Sequence, residues 1–213
     1  MCGCRLAIGE EVICSVCNIH LPRTHYTKTA FDNKMAKLFY GQIPIEKAAA
    51  LFFYERQSET SRIIHLMKYF GHPEAALFMG RMLAEEAKDD NFFDGIDMIL
   101  PIPITRKRQR ERGYNQSEYI AKGINEITGI PIVKGAVVRK SFGKSQTKMN
   151  RWQRNENVKD AFQVKDIGKL KDKHILIIDD IVTTGATIIA CANEIKCCGD
   201  IKISVLSLGF TAG

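Results

Sequence analysis

No stretch of this 213-residue sequence approaches the roughly 18–20 consecutive apolar residues that a membrane-spanning helix needs. The opening residues, MCGCRLAIGEEVIC, have neither the basic start nor the long apolar stretch of an export signal, so a cytoplasmic address is the expectation. Internal repeats and low-complexity tracts are also missing, which excludes solenoid and fibrous architectures. Aromatic residues make up only 8% of the chain, too few for a broad base-stacking platform, and no recognised nucleic-acid module is present. The lysine of a Walker phosphate loop is absent, which argues against a nucleoside triphosphate as ligand. What is there is ordinary globular composition, 45% hydrophobic and 26% charged, in a length that allows one catalytic domain plus an appendage.

The net charge of +7 is concentrated in two places. Arg106 to Arg112 holds five bases and one acid; Lys134 to Lys159 holds eight bases against Glu156 alone. Outside them acids outnumber bases. Such stretches suit an anionic partner, whether a phosphorylated metabolite, pyrophosphate or nucleic acid, and are equally compatible with solvated basic loops. The seven cysteines are poor evidence for disulfides in a reducing compartment. Cys2, Cys4, Cys14 and Cys17 form two short-spaced pairs that could surround a structural Zn²⁺, although Cys-Gly-Cys is one residue tighter than an ordinary knuckle. Unliganded surface thiols are the alternative. Cys191, Cys197 and Cys198 sit in an amphipathic segment as small apolar residues.

Periodicity divides the chain into three. Residues 1–26 form the cysteine-rich, zinc-ribbon-like segment. Residues 27–92 are expected to be helical: an alanine-rich run from Ile45 to Tyr54, a helix opening at Ser61 with Ile63, Ile64 and Met67 at helical spacing, and another starting at Pro73. Lys68, near the end of the Ser61 helix, suits the helix dipole there, with catalytic use as the alternative. Residues 93–213 alternate short apolar strands with helices: Ile96–Leu100, Asn115–Thr128, Ile130–Val138, His174–Ile178, Gly185–Cys198 and Ile201–Leu208. Asn115 with Glu118 makes a candidate capping box. Alternation of this kind predicts an α/β domain with a parallel sheet, whose ligands bind in loops beyond the carboxyl ends of the strands.

The segment Ile175-Leu-Ile-Ile-Asp-Asp-Ile-Val-Thr-Thr-Gly-Ala-Thr187 fits that rule. An apolar strand carries Asp179 and Asp180 at its tip, and Thr183, Thr184, Gly185, Ala186 and Thr187 lead into a helix. Backbone N–H groups, three hydroxyls and the helix dipole there make a phosphate cradle, with a glycine that lets the backbone come close. The two carboxylates stand one ribose-length from the cradle and can accept hydrogen bonds from vicinal hydroxyls, so a phosphorylated sugar fits.

This stretch closely resembles the phosphoribosyl pyrophosphate motif of type I phosphoribosyltransferases. Pro101-Ile-Pro-Ile-Thr-Arg-Lys-Arg-Gln-Arg-Glu-Arg-Gly-Tyr-Asn-Gln-Ser117, the later series Gln146, Arg151, Arg154, Asn157 and Phe162, and Leu21-Pro22 after the cysteines narrow the resemblance to the ComF family, the competence-associated phosphoribosyltransferase-like proteins. The resemblance implies a type I phosphoribosyltransferase-like parallel sheet with a helical hood over 27–92 and an N-terminal zinc ribbon. In register with the family, Cys2 takes the place of its second zinc cysteine and the first would fall before Met1, leaving a start placed late or Cys4 as fourth ligand, with His20 as a spare.

The implied activity is transfer of a phosphoribosyl group from phosphoribosyl pyrophosphate, bound with Mg²⁺, to an acceptor that no signature identifies. Thr183 to Thr187 would fix the 5-phosphate, Asp179 and Asp180 would hold the ribose and its metal complex, and the backbone of Pro103, Ile104, Thr105 and Arg106 would approach the pyrophosphate. The loop 102–116 would form one wall of the site. Ser141 to Asn157 reads as a lid that brings Lys148 and Arg154 to the pyrophosphate. A single-stranded DNA-binding role in DNA uptake, using the same basic stretches, is the alternative. The sequence carries no sign of oligomeric state.

Overall fold

The computed structural model describes residues 1–69, 71–140 and 161–212. In chain order the elements are α1 (Ser15–Ile19), α2 (Lys34–Lys37), β1 (Ile45–Phe53), α3 (Glu59–Tyr69), α4 (Pro73–Asp89), β2 (Met98–Pro101), α5 (Arg106–Arg112) and α6 (Gln116–Thr128). They are followed by β3 (Val137–Arg139), β4 (Phe162–Val164), α7 (Ile167–Leu170), β5 (His174–Val182), α8 (Ala186–Ile195) with a short 3₁₀ turn at Lys196–Cys198, and β6 (Lys202–Phe210).

Four strands form one parallel sheet in the order β1-β6-β5-β2, and β3 pairs with β4 as a separate antiparallel ribbon. Side chains alternate across the sheet, so consecutive apolar residues serve opposite faces. Leu176 and Ile178 of β5 join a core with Ile63, Met67, Met79 and Ile120 on one side; Ile175 and Ile177 join Met35, Phe39, Phe162 and Ile188 on the other. Burial on both faces explains why the β5 segment reads as an unbroken apolar run.

The expectation of helix throughout 27–92 is corrected at β1. Ala48 and Ala50 face one core and Ala49 and Leu51 the other, and β1 runs parallel beside β6 from Ile45 to Phe53. An alanine-rich segment has good helix propensity, and the open edge of β6 outweighs it. The wall of loop expected over 102–116 is likewise interrupted by α5, a helix with no buried residue. Thr105 caps its start by accepting from the Arg108 N–H at 3.3 Å, and Gly113 closes it in the left-handed conformation (φ +79°).

Asn115 does cap α6, accepting from the Ser117 N–H at 3.2 Å. Across from it α4 approaches so closely that a Cβ on Gly80 would lie 2.3 Å from the Ile120 carbonyl oxygen, and one on Gly123 would lie 2.2 Å from that of Leu77. Glycine at this crossing is a packing requirement. Among the described residues no helix is long and apolar enough to cross a membrane.

Candidate functional site

The site is built where β2 leaves the sheet before β5 has finished. Pairing of β2 with β5 ends at Pro101 and Ile178, extended by the Ile102 N–H to the Ile178 carbonyl at 2.9 Å, whereas β6 accompanies β5 as far as Val182. Asp179 and Asp180 therefore stand on a stretch of strand that β2 no longer accompanies.

Beyond Val182 the chain turns through Thr183 and Thr184, both exposed, to buried Gly185 and then into α8. Gly185 has φ +72°, and a Cβ there would lie 2.8 Å from the Phe39 ring, so glycine is demanded both by conformation and by space. No side chain caps the start of α8. Its first-turn N–H groups are thus available at the positive end of the helix dipole, apart from a 3.4 Å contact of the Ala186 N–H with the Thr184 hydroxyl. Asp179 and residues 181–188 line a shallow cradle open to solvent. Such an arrangement binds a phosphate ester.

The two carboxylates differ in environment. Asp179 Oδ1 accepts from the Asp180 backbone N–H (2.9 Å) and the Ser117 hydroxyl (3.4 Å). Burial, and next the adjacent Asp180 charge, push the Asp179 carboxyl up to about 7. Asp180 Oδ2 is instead paired at 2.9 Å with the Lys68 ammonium, both side chains being largely screened from solvent. Lys68 is held there because the Tyr114 hydroxyl and the Gln116 amide both donate to the Met67 carbonyl, fixing the end of α3. Lys68 thus keeps the place in the last turn of α3 expected for it and in addition pairs with a site carboxylate.

Arg139, at the end of β3, is a second cation that sequence reasoning missed. It lies half-buried over the Phe162 ring at 5.2 Å, and burial, with Arg108 nearby, depresses its guanidinium below the usual arginine range while Asp179 opposes that shift. Its signal was membership of the basic stretch from Lys134 to Lys159, which did not single it out. Pro103, Ile104 and Thr105 are half-buried between β2 and α5, with the Ile102 carbonyl accepting from Asn115 Nδ2 at 3.0 Å, and Arg106 is exposed on α5. Lys148 and Arg154, together with the rest of the expected lid from 141 to 157, lie outside the described residues.

At the amino terminus the structure brings together Cys2, Cys14 and Cys17, with their sulfurs within 4.8 Å of one another; Cys4 does not join them. Cys-Gly-Cys is too short for both sulfurs to turn inward, and the Cys4 backbone N–H instead donates to Cys2 Sγ at 3.4 Å. That contact above all draws the Cys2 thiol down to about 7, while burial pushes Cys17 up to about 11. Three soft sulfur donors at this spacing fit Zn²⁺ and leave its fourth position to another ligand. His20, the spare candidate, is turned with Nδ1 2.9 Å from the Val16 carbonyl and is not part of the group.

A phosphoribosyl transferase domain matches residues 112–206. DNA utilization protein YhgH of Escherichia coli (strain K12) is 25% identical over 198 residues, covering 88% of this chain and 86% of that protein. Competence protein F of Haemophilus influenzae is 29% identical over 101 residues, 47% of this chain and 42% of its own length. Competence protein ComFC of Bacillus subtilis is 28% identical over 93 residues, covering 43% and 35% respectively.

Proposed function

We propose that the chain is a ComF-family, type I phosphoribosyltransferase-like protein that binds phosphoribosyl pyrophosphate with Mg²⁺ and transfers the phosphoribosyl group to an acceptor, releasing pyrophosphate. The observation that carries the reading is the uncapped hydroxyl-rich start of α8, set directly after the strand bearing Asp179 and Asp180.

In this reading the N–H groups and hydroxyls of Thr183, Thr184, Gly185, Ala186 and Thr187 take the 5-phosphate. Asp179 and Asp180 accept hydrogen bonds from the ribose hydroxyls. The backbone from Pro103 to Arg106 faces the pyrophosphate, while α3 and α4 act as the hood. Hard carboxylate oxygens fit Mg²⁺, whose charge would offset that of the leaving group. As the bond to pyrophosphate stretches, positive charge grows at C1, and the two carboxylates stabilise it. Lys68 tempers them beforehand: it keeps Asp180 paired until ribose hydroxyls replace it.

Thermal unfolding tests the reading. Phosphoribosyl pyrophosphate with Mg²⁺ should raise Tm of the full chain, and Asp179→Asn combined with Asp180→Asn should abolish the rise. A wild-type chain that shows no rise, or a double variant that keeps it, overturns the assignment.

A second reading has its own support. Helix α5 exposes Arg106, Lys107, Arg108 and Arg110 with no residue buried, and relatives are named for competence and DNA utilization. Single-stranded DNA held along this helix by its phosphates is the alternative function.

A further inference from the structure

Beside the ribose carboxylates lies a larger hollow to which the phosphoribosyl reading gives no occupant. It is open to solvent and is lined by Lys68, Tyr69, Gly71, Arg108, Glu111 and Arg112. Lys68 belongs to both sites, since it lines the hollow and reaches Asp180 at 2.9 Å. Whatever fills the hollow therefore sits next to the sugar.

Two properties specify the ligand. The first is charge. Lys68 is matched by Asp180, and Glu111 faces Lys107 at 3.7 Å, but among the described residues neither Arg108 nor Arg112 has a salt-bridge partner. Arg112 donates to the neutral Gln116 Oε1 at 2.9 Å. The second is a flat wall. Tyr69 is 67% exposed, and the Arg112 guanidinium lies over its ring, 5.9 Å from the centroid, so an aromatic ring and a forked donor stand together in the hollow. Pyrophosphate would use the charge and not the ring, a neutral amine the ring and not the charge. A planar acid uses both.

The developing cation at C1 supplies an independent reason. Cations beside it oppose the transition state unless an anion covers them, and an acceptor carrying its own carboxylate covers Arg108 and Arg112 as it docks.

We propose that this hollow is the acceptor subsite and that it selects an aromatic or heteroaromatic carboxylate bearing the nucleophilic nitrogen. The inference rests on the phosphoribosyl reading. The nitrogen lone pair forms the N–C1 bond while the C1–O bond to pyrophosphate breaks. The electron pair of that bond leaves with pyrophosphate, which also takes the proton when the nucleophile is an N–H; a pyridine nitrogen has none to lose and becomes a pyridinium. The Arg112 fork holds the acceptor's carboxylate, and Tyr69 stacks on its ring.

The test is a ligand-observed NMR titration of the full chain, saturated with phosphoribosyl pyrophosphate and Mg²⁺. The probes are pyridine carboxylates, pyrimidine carboxylates and aminobenzoates, each beside its own carboxamide. The acids should bind at least tenfold more tightly than the amides. Arg112→Gln should remove that preference and Tyr69→Ala should weaken the acids, with each variant's fold checked by its Tm in the absence of ligand. Equal affinity for acids and amides, or binding of neither, in a chain that still shows the thermal shift with phosphoribosyl pyrophosphate overturns this inference and leaves the transferase reading standing. An Arg112→Gln variant that loses affinity for Mg²⁺-pyrophosphate alone while keeping its acid preference makes the hollow a leaving-group site and also overturns it. A wild-type chain without the thermal shift sinks both.

Discussion

Asp179 is the residue whose chemistry depends most on its setting. Its carboxyl sits at about 7, pushed up first by burial and then by Asp180, against an ordinary value near 4. A folded-state pKa above the unfolded one means that the native chain holds this proton more tightly. The associated stability is complete below about pH 4 and is lost as pH rises through about 7. The wild type should therefore lose Tm across that interval relative to Asp179→Asn, which carries a neutral amide at all these pH values. Differential scanning calorimetry from pH 4 to 8 measures the difference; parallel profiles for the two chains would remove the assigned environment. The same sign carries over to binding. Ribose hydroxyls and a divalent cation both favour the ionised carboxylate, so docking of Mg²⁺-phosphoribosyl pyrophosphate near neutral pH should release a proton. Isothermal titration in buffers of different ionisation enthalpy reads that release, and an enthalpy independent of the buffer contradicts it.

At the scale of elements, the contact between α4 and α6 sets the hood against the sheet and so fixes Ser117, which reaches Asp179. An exposed helical glycine replaced by alanine usually gains about 1 kcal/mol. At Gly123 the sign reverses, because the new methyl would lie 2.2 Å from the Leu77 carbonyl oxygen and 2.7 Å from the Arg81 nitrogen, both backbone atoms that cannot step aside. Gly123→Ala should cost about 1–3 kcal/mol, a drop of several degrees in Tm. Gly168→Ala, where the nearest neighbour is an Asp166 carboxylate oxygen at an ordinary 3.5 Å, serves as the control and should be neutral or stabilising. A Gly123 variant as stable as its control would mean that the two helices pack differently.

Elements of this kind also show what the sequence could reveal. The strand bearing Asp179 and Asp180, which runs on to Val182, the turn from 183 to 187 and the helices α4 and α6 were legible because each is specified by neighbours in the chain: apolar runs, caps, a glycine that must adopt positive φ. β1 was not, since three consecutive alanines suit a helix as well and only the open edge of β6 decides. Nor was α5, whose stability comes from the Thr105 cap and the Gly113 terminus rather than from an apolar face. Within the site, Lys68 reaches Asp180 from a position far away in the chain, and no spacing rule encodes such a meeting. The cysteine group falls between the two cases. Cys14 and Cys17 follow from a helical turn, whereas the choice of Cys2 over Cys4 depends on which way a two-residue bend faces.

For the whole molecule the decisive property is where its charge stands. A net +7 spread evenly would do little beyond keeping the protein soluble, but α5 projects its bases into solvent beside the opening that holds Asp179 and Asp180. Long-range attraction of any polyanion is then expected at low salt, whichever function is the main one. What separates them is the dependence on ionic strength and on the carboxylates. If single-stranded DNA is held along α5 through three to five phosphates, log K should fall with log salt with a slope of about −2 to −3.5, since each phosphate contributes about −0.7 on a single strand. Replacing Arg106 and Arg110 by alanine should flatten that slope by about 1.4, while the doubly substituted Asp179→Asn, Asp180→Asn chain should bind DNA at least as well as wild type, having lost two negative charges. Fluorescence anisotropy of a labelled oligonucleotide across 50–300 mM salt provides all three numbers. A slope near zero, or DNA affinity that disappears with the aspartates, rules out a phosphate-tracking role for α5 and leaves its bases to the pyrophosphate.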